Sequence, residues 1–540
     1  MKLSLQRKNT SFLFIPLILI LVTLPLIMRD FTPRDELKYI DISSTMIKTH
    51  NFFVQYFNNQ MYTDKPPLYF WLIIISRYIF GGFYTYGIVL FNIAIESFML
   101  IKLYDFLKKH FNYKASGIIV FLIISSILHY ISIVTVRMDV FLNSFIVLSL
   151  INFFDCYKQG DYKKNYKTFI YIGFAFLFKG LVGVLTPLLV IIIFKFIASK
   201  KYTLKEIGLL KGLGIILLFV LFWLIPSYLA VGPIFIKQLL FKQIYGRAVN
   251  AYVHKKPFYY YLWTLPAIVF PWCIAFCYSL YKSIINKSKT DLDKFLLLWI
   301  GITVFYLSLV SSKIIIYLLP LTVPMMIITY IELGKASRKA KNIIYYTTAL
   351  QLPILLIAIF FIHSEDFLPF KTSAILGLSI ITLMIIIFII KNKIHRAFYL
   401  SGSLMFILAI CLGLNMKTFN KEIGFYKYKS IITKYVPNNQ IIYAFEDDLL
   451  RTQFMIPNKI VSVKEETFQL KENNIFFLKK KSVFPHAFWT LSILGSLILL
   501  IYAIYRKDPV IILGQAFGLI VYIRNLIIIK KNKKVGLEND

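Results

Sequence analysis

Apolar runs recur along this chain near 12–28, 85–106, 115–132, 139–154, 168–179, 181–198, 209–231, 259–281, 294–311, 314–333, 343–363, 371–390 and 397–415. Most approach the ~20 residues a helix needs to cross a bilayer. The pattern predicts an all-α polytopic membrane protein of about thirteen spans. Pro67–Phe80 is apolar but too short for a span and carries Arg77, so it reads as an interfacial or re-entrant helix. Between Met416 and His486 short apolar pieces, 440–445, 459–463 and 474–478, alternate with turn residues such as Pro437-Asn438-Asn439. They read as strands of a small α/β domain resting on the membrane part. Two further apolar runs, 487–505 and 509–529, close the chain.

Charge orients this pattern. Lys2, Arg7 and Lys8 precede the first run, no small-residue cleavage site follows it, and Arg29-Asp30 come next. The run therefore reads as an uncleaved first span with its N-terminus in the cytoplasm. With 67–80 kept out of the span count, the loops at Lys108-Lys109, 158–167, 200–211, 282–294, 335–341 and 391–396 all fall inside, as the positive-inside bias requires. The outer face then receives 29–84, 137–139, Lys179-Gly180, 232–258, 312–313 and 416–486. The C-terminal pair resists this scheme, because parity leaves Lys530–Lys534 outside.

Composition agrees. Hydrophobic residues make up 58% and charged ones 16%, against about 25% charge in soluble domains. The net charge of +35, from 61 basic and 26 acidic residues, is a topology signal rather than a basic face, so no nucleic-acid partner is expected. Cys156, Cys273, Cys277 and Cys411 lack any CxxC or histidine partner and read as small buried apolar residues.

Ionisable residues at the outer mouths of spans are the candidates for chemistry. Asp35-Glu36 opens a helical pattern and reads equally as an N-terminal cap or as a general base. Asp64-Lys65 precedes Pro66-Pro67, where a lysine at headgroup depth can hold a lipid phosphate. Arg137-Met138-Asp139 opens the fourth span and places a second carboxylate at the same face. Lys179-Gly180 interrupts a long apolar run, and Lys313 sits in a very short outer turn one helical turn before Tyr317. The outer loop 232–258 carries Gln243, Arg247, His254, Lys255 and Lys256. A metal site built from Asp35, Asp64 and Asp139 stays open, because that oxygen set is incomplete. Neither a P-loop nor an inverted repeat is found, and no acidic residue is read at mid-membrane depth, which argues against a nucleotide hydrolase and against a lipid or polysaccharide transporter.

These pieces together resemble a known family. Asp35-Glu36-Leu37-Lys38-Tyr39, Asp64-Lys65-Pro66-Pro67-Leu68-Tyr69-Phe70-Trp71 and Arg137-Met138-Asp139 resemble the bacterial lipid-linked-sugar glycosyltransferases of the GT-C type. The nearest group is the aminoarabinose transferases that modify lipid A, within the protein-mannosyltransferase-like family. Lys179-Gly180, Gly246-Arg247, His254-Lys255-Lys256-Pro257 and Lys313 to Pro320 agree, over about residues 1–415. Lys38 stands where relatives often carry arginine, and Gln243-Ile244 where many have Glu-His. The resemblance implies sugar transfer from a polyprenyl-phosphate donor to lipid A or a related glycolipid, with a protein acceptor as the alternative. The implied setting is the periplasmic face of a bacterial inner membrane. Asp35 and Asp139 would be the essential carboxylates. Lys65, helped by Arg247 and Tyr317, would hold the carrier phosphate. Lys38, Arg137, His254 and Lys313 are further substrate-binding candidates, followed by Glu36, Asp64 and Lys179.

A second resemblance covers about 480–530. Ser482 to Trp489, Arg506-Lys507-Asp508-Pro509 and Gly514-Gln515 resemble the lipid A biosynthesis N-terminal domain. The expected organisation is a GT-C membrane domain at 1–415, a periplasmic α/β domain at 416–481, a two-helix membrane segment at 482–530 and a basic tail at 531–540.

Overall fold

The computed structural model describes residues 11–32, 35–57, 60–198, 206–239, 256–360, 368–423, 442–444, 460–462 and 476–477. Every one of the thirteen apolar runs is helical. In chain order they form α1 (Ser11–Thr23), α4 (Thr85–Lys108), the pair α5 (Tyr113–Ile124) and α6 (Ile127–Val134), α7 (Asp139–Gln159), α8 (Tyr166–Lys179), α9 (Leu181–Ala198) and α10 (Leu209–Val231). After the short α11 (Pro233–Lys237) come α12 (Tyr260–Thr264) with α13 (Cys273–Ile285), α14 (Asp291–Leu309), a 3-10 segment (Ile315–Leu321) running into α15 (Thr322–Lys335), α16 (Arg338–Phe360), α17 (Leu368–Ile390), and α18 (Ile394–Leu400) with α19 (Leu404–Leu414).

Among the described residues, 7 helices are long and apolar enough to cross a membrane, or 8 with α5 and α6 taken as one span bent by 69°. The protein is thus a multi-pass membrane protein. The remaining runs are shorter or broken. For instance, α8 has 14 residues, a rise of about 21 Å, and stops at Gly180, whose φ is +72°.

The core runs around α7, which packs against α4, α8, α9 and the 3-10 segment. It is 78% buried, whereas α10 is only 17% buried. An apolar helix that no protein covers faces lipid. At one end of the bundle, α2 (Asp35–Thr49) lies on a two-stranded hairpin, β1 (Gln55–Phe57) with β2 (Gln60–Tyr62), and on α3 (Leu68–Phe80). With 13 residues, α3 is too short for a span.

The strand pieces read in the 416–486 stretch coincide with β3 (Ile442–Ala444), β4 (Ile460–Ser462) and β5 (Phe476–Phe477). They form a parallel sheet in the order β4-β3-β5, with Ile442 opposite both Ile460 and Phe476. The short α20 (Met416–Ile423) precedes it in the chain. The two C-terminal apolar runs and the basic tail lie outside the described residues.

Two sequence readings change. Cys156 and Cys411 are buried, but Cys273 is half-buried and Cys277 exposed, because α13 turns that side outward. Glu96 lies in the middle of α4 and is 1% exposed, so an acidic residue does stand at mid-membrane depth. The surrounding apolar run masked it.

Candidate functional site

Asp35 and Asp139 come together at the starts of their helices, joined through Arg137. Asp35 begins α2 and Asp139 begins α7, positions that favour negative charge. Arg137 bridges them. Its Nη2 is 3.1 Å from Asp35 Oδ2, and its Nε donates to Asp139 Oδ2 at 3.4 Å. Lys179, the last residue of α8, pairs with the other oxygen of Asp139. The Lys179 Nζ also lies 4.4 Å from the ring centroid of Tyr317, a cation–π contact.

Burial separates the two acids. Asp139 is 2% exposed and held by two cations, while the Asp35 side chain is 49% exposed. Asp139 therefore fixes Arg137 and Lys179, and Asp35 remains able to take a proton or orient a substrate hydroxyl. Burial alone would lower the pKa of Arg137, but Asp139 and Asp35 raise it. The phenol of Tyr39 is pushed well up by burial and then by the nearby charge of Asp35.

Lys65 approaches from the loop before α3, and its charge acts on Asp139. The loop sits against the α8–α9 break: a β-carbon added to Gly180 would meet Pro66 at 4.0 Å. Beside this loop, α3, α8 and α10 form an open groove of about 400 Å³ lined by Leu68, Trp71, Phe174, Leu177, Leu218, Phe219 and Phe222. Its wall is apolar throughout. Leu68 is three residues from Lys65, and Leu177 two residues from Lys179. An anion at the cation cluster and an apolar chain in the groove are thus within one molecule's reach.

Other sequence candidates are engaged differently. Glu36 is buried and turned away from Asp35. Its Oε1 accepts from Arg29 Nη2 at 2.5 Å and Val136 N at 2.8 Å, and its Oε2 from Arg29 Nη1 at 2.8 Å and Thr32 N at 2.8 Å. Burial pushes its pKa up, yet Arg29 and these backbone donors hold it below the ordinary value. Lys38 lies 4.2 Å from the Tyr62 ring centroid and 5.0 Å from that of Phe57. Lys313 is buried and donates to the carbonyls of Lys256 and Val310 at 3.2 and 2.6 Å, tying down the outer turn. Asp64 is half-buried beside Lys65. Arg247 and His254 lie outside the described residues. Among the described residues, no three His, Cys, Asp or Glu side chains gather as a metal site.

Sequence reasoning missed Arg29, Tyr39 and Tyr69. Tyr39 and Tyr69 pack edge to face at 5.6 Å, and both feel the charges of Arg137 and Asp139. Both stood inside the quoted motifs, at Lys38-Tyr39 and Leu68-Tyr69, but nothing in their spacing announced burial beside the acids.

The bundle gathers acids and cations at one face beside an apolar groove, and the comparisons with known proteins agree with the resemblance drawn from the motifs. Residues 64–225 match the family described as dolichyl-phosphate-mannose-protein mannosyltransferase, and 477–527 match the lipid A biosynthesis N-terminal domain. The chain is 27% identical over 507 residues to an undecaprenyl phosphate-alpha-4-amino-4-deoxy-L-arabinose arabinosyl transferase of Wigglesworthia glossinidia brevipalpis, covering 88% of this chain and 86% of that one. A protein of the same name from Aeromonas hydrophila is 24% identical over 56% of each chain. Among solved structures, ArnT from Cupriavidus metallidurans bound to undecaprenyl phosphate superposes with a TM-score of 0.67 at 16% identity, covering 84% of this chain and 85% of that one.

Proposed function

We propose that this chain is a polyprenyl-phosphate-sugar-dependent glycosyltransferase that modifies lipid A or a related envelope glycolipid. Its place would be the bacterial inner membrane, with the site facing the periplasm. The observation that carries this reading is the Asp35–Arg137–Asp139–Lys179 cluster beside the Lys65 loop and the apolar groove. A carrier lipid needs an apolar groove for its chain and cations for its phosphate.

The chemistry follows from the same groups. The acceptor oxygen forms a bond to the anomeric carbon of the sugar. The bond from that carbon to the carrier phosphate breaks, and the phosphate leaves with the electron pair. Lys65, Arg137 and Lys179 stabilise the charge that grows on it. Asp35 orients the acceptor oxygen and takes its proton when it carries one. The named relatives favour an aminosugar donor.

Two rivals predict different results. A protein O-glycosyltransferase would use the same donor and groups. A lipid or polysaccharide transporter would need no Asp35 chemistry. The test is mass spectrometry of lipid A from cells with the gene, without it, and with an Asp35→Asn copy. A sugar-sized mass on lipid A is expected only with the intact gene. An unchanged profile refutes the lipid acceptor. Full transfer by Asp35→Asn refutes the catalytic reading.

A further inference from the structure

Inside the membrane, below the outer site, a chain of polar groups links four helices. The Glu96 Oε1 on α4 lies 2.6 Å from His129 Nε2 on α6, and His129 Nδ1 lies 3.1 Å from Thr322 Oγ1 at the start of α15. The hydroxyl of Ser144 on α7 donates to Glu96 Oε2 at 3.3 Å. All four residues are at most 1% exposed. One turn before Glu96, Asn92 donates to the carbonyls of Ile133 at 2.9 Å and Thr135 at 2.8 Å. Residues four apart share a helix face, so α4 grips α6 at two levels.

The grip matters because of what α6 carries. It has only 8 residues, too few to hold a place by helix propensity, and it follows the 69° bend. Directly after it come Val136, whose N–H meets Glu36, and Arg137, which bridges Asp35 and Asp139. Thr322 directly follows the 3-10 segment that holds Tyr317, whose ring meets Lys179. Ser144 lies on α7 below Asp139. The three segments that present Arg137, Asp139 and Tyr317 therefore meet at one buried chain of bonds. An ionisable residue in the bilayer interior is costly and marks function.

We propose that Glu96 and His129 are positioning residues, which set the register of α6, α7 and the 3-10 segment and so align Arg137, Asp139 and Tyr317. The inference deepens the glycosyltransferase reading and rests on it for its kinetic part only. Both side chains bond to other protein groups and neither lines the groove. The groove proposed for the carrier chain is built by α3, α8 and α10, apart from this chain of bonds, so loss of these bonds should misalign the reacting groups and cost turnover more than donor binding.

The test uses the full-length protein in lipid nanodiscs with His129→Phe, Glu96→Leu, the conservative Glu96→Gln, and Leu378→Ala, a buried apolar position on α17 outside this chain of bonds, as a control for general destabilisation. Small misplacements are costly in rate, so His129→Phe and Glu96→Leu should lower kcat by about tenfold or more, with a smaller change in the KM for a polyprenyl-phosphate sugar. Glu96→Gln, which can still accept from His129, should keep most of the rate. Hydrogen exchange should quicken at 133–139 and 314–322 in the first two variants and not in Leu378→Ala. Unchanged exchange at those segments, a rate loss no greater than in Leu378→Ala, or a rise in KM alone overturns the proposal. A variant that does not fold leaves the other to decide. If the intact protein transfers no sugar, the enzymatic reading fails while the exchange measurement still decides the positioning role.

Discussion

Replacing Glu36 by glutamine should cost the fold about 3–5 kcal/mol, the usual penalty for removing one partner of a buried ion pair. The structure allows a second route to that figure. Each carboxylate oxygen accepts two hydrogen bonds, one from Arg29 and one from the backbone. Glutamine keeps one acceptor oxygen and replaces the other with a donor. Two accepted bonds are lost in either orientation, at about 1.5–3 kcal/mol each for bonds involving a charged group. The Arg29 side chain, 6% exposed, is left without its counter-charge. The assay is denaturant or thermal unfolding of the purified protein, followed by tryptophan fluorescence at several pH values. Glu36 has a folded-state pKa below its ordinary 4.5. Its stabilisation is therefore complete above the ordinary value and disappears as pH falls through the depressed one. Wild type and Glu36→Gln should differ at neutral pH and converge in acid. Equal stability at pH 7, with loss of sugar transfer, would refute the structural assignment and return Glu36 to the catalytic set.

Three further outcomes follow from neighbouring features. Lys65→Met should weaken donor binding by about 10- to 100-fold, the worth of a charge-assisted bond, seen as a higher KM with a stable fold. Phe222→Glu, which puts a charge into the apolar groove, should abolish the preference for long-chain over short-chain carriers in competition assays, whereas an unchanged preference would place the carrier chain elsewhere. Asp41, buried on α2, has its pKa raised to about 7 chiefly by that burial. Its folded value lies above the unfolded one, so it costs stability as pH rises toward and through 7. Asp41→Asn should therefore be more stable than wild type at pH 8 and lose that advantage on acidification, as read from unfolding midpoints.

The membrane architecture was legible because apolar runs report burial from water directly, and the short strands β3, β4 and β5 stood out by composition. Asp35, Arg137, Asp139 and Lys179 could be named from charges at span mouths, and Tyr317 from its place one turn after Lys313. Their pairing could not be, because it depends on α6 bending to deliver Arg137 between two acids. Hydropathy also could not tell Asp35 from Glu36. Both precede the same helix pattern, yet one is half exposed and the other is enclosed by Arg29, a residue that looked like a topology signal. Glu96 and His129 were hidden in apolar runs, where a single polar letter barely changes a window average.

Under the proposed function, the groove between α3, α8 and α10 has a further consequence for how the donor arrives. Leu218 and Phe222, on its α10 wall, are 67% and 51% exposed, and in a bilayer that exposure is to acyl chains. A carrier lipid enters such a groove sideways, without leaving the membrane plane. Encounter then takes place in two dimensions, and the quantity that sets occupancy is the mole fraction of donor in the bilayer rather than its bulk concentration. Adding inert lipid at a fixed total amount of donor should slow transfer as an inhibitor would, by surface dilution alone.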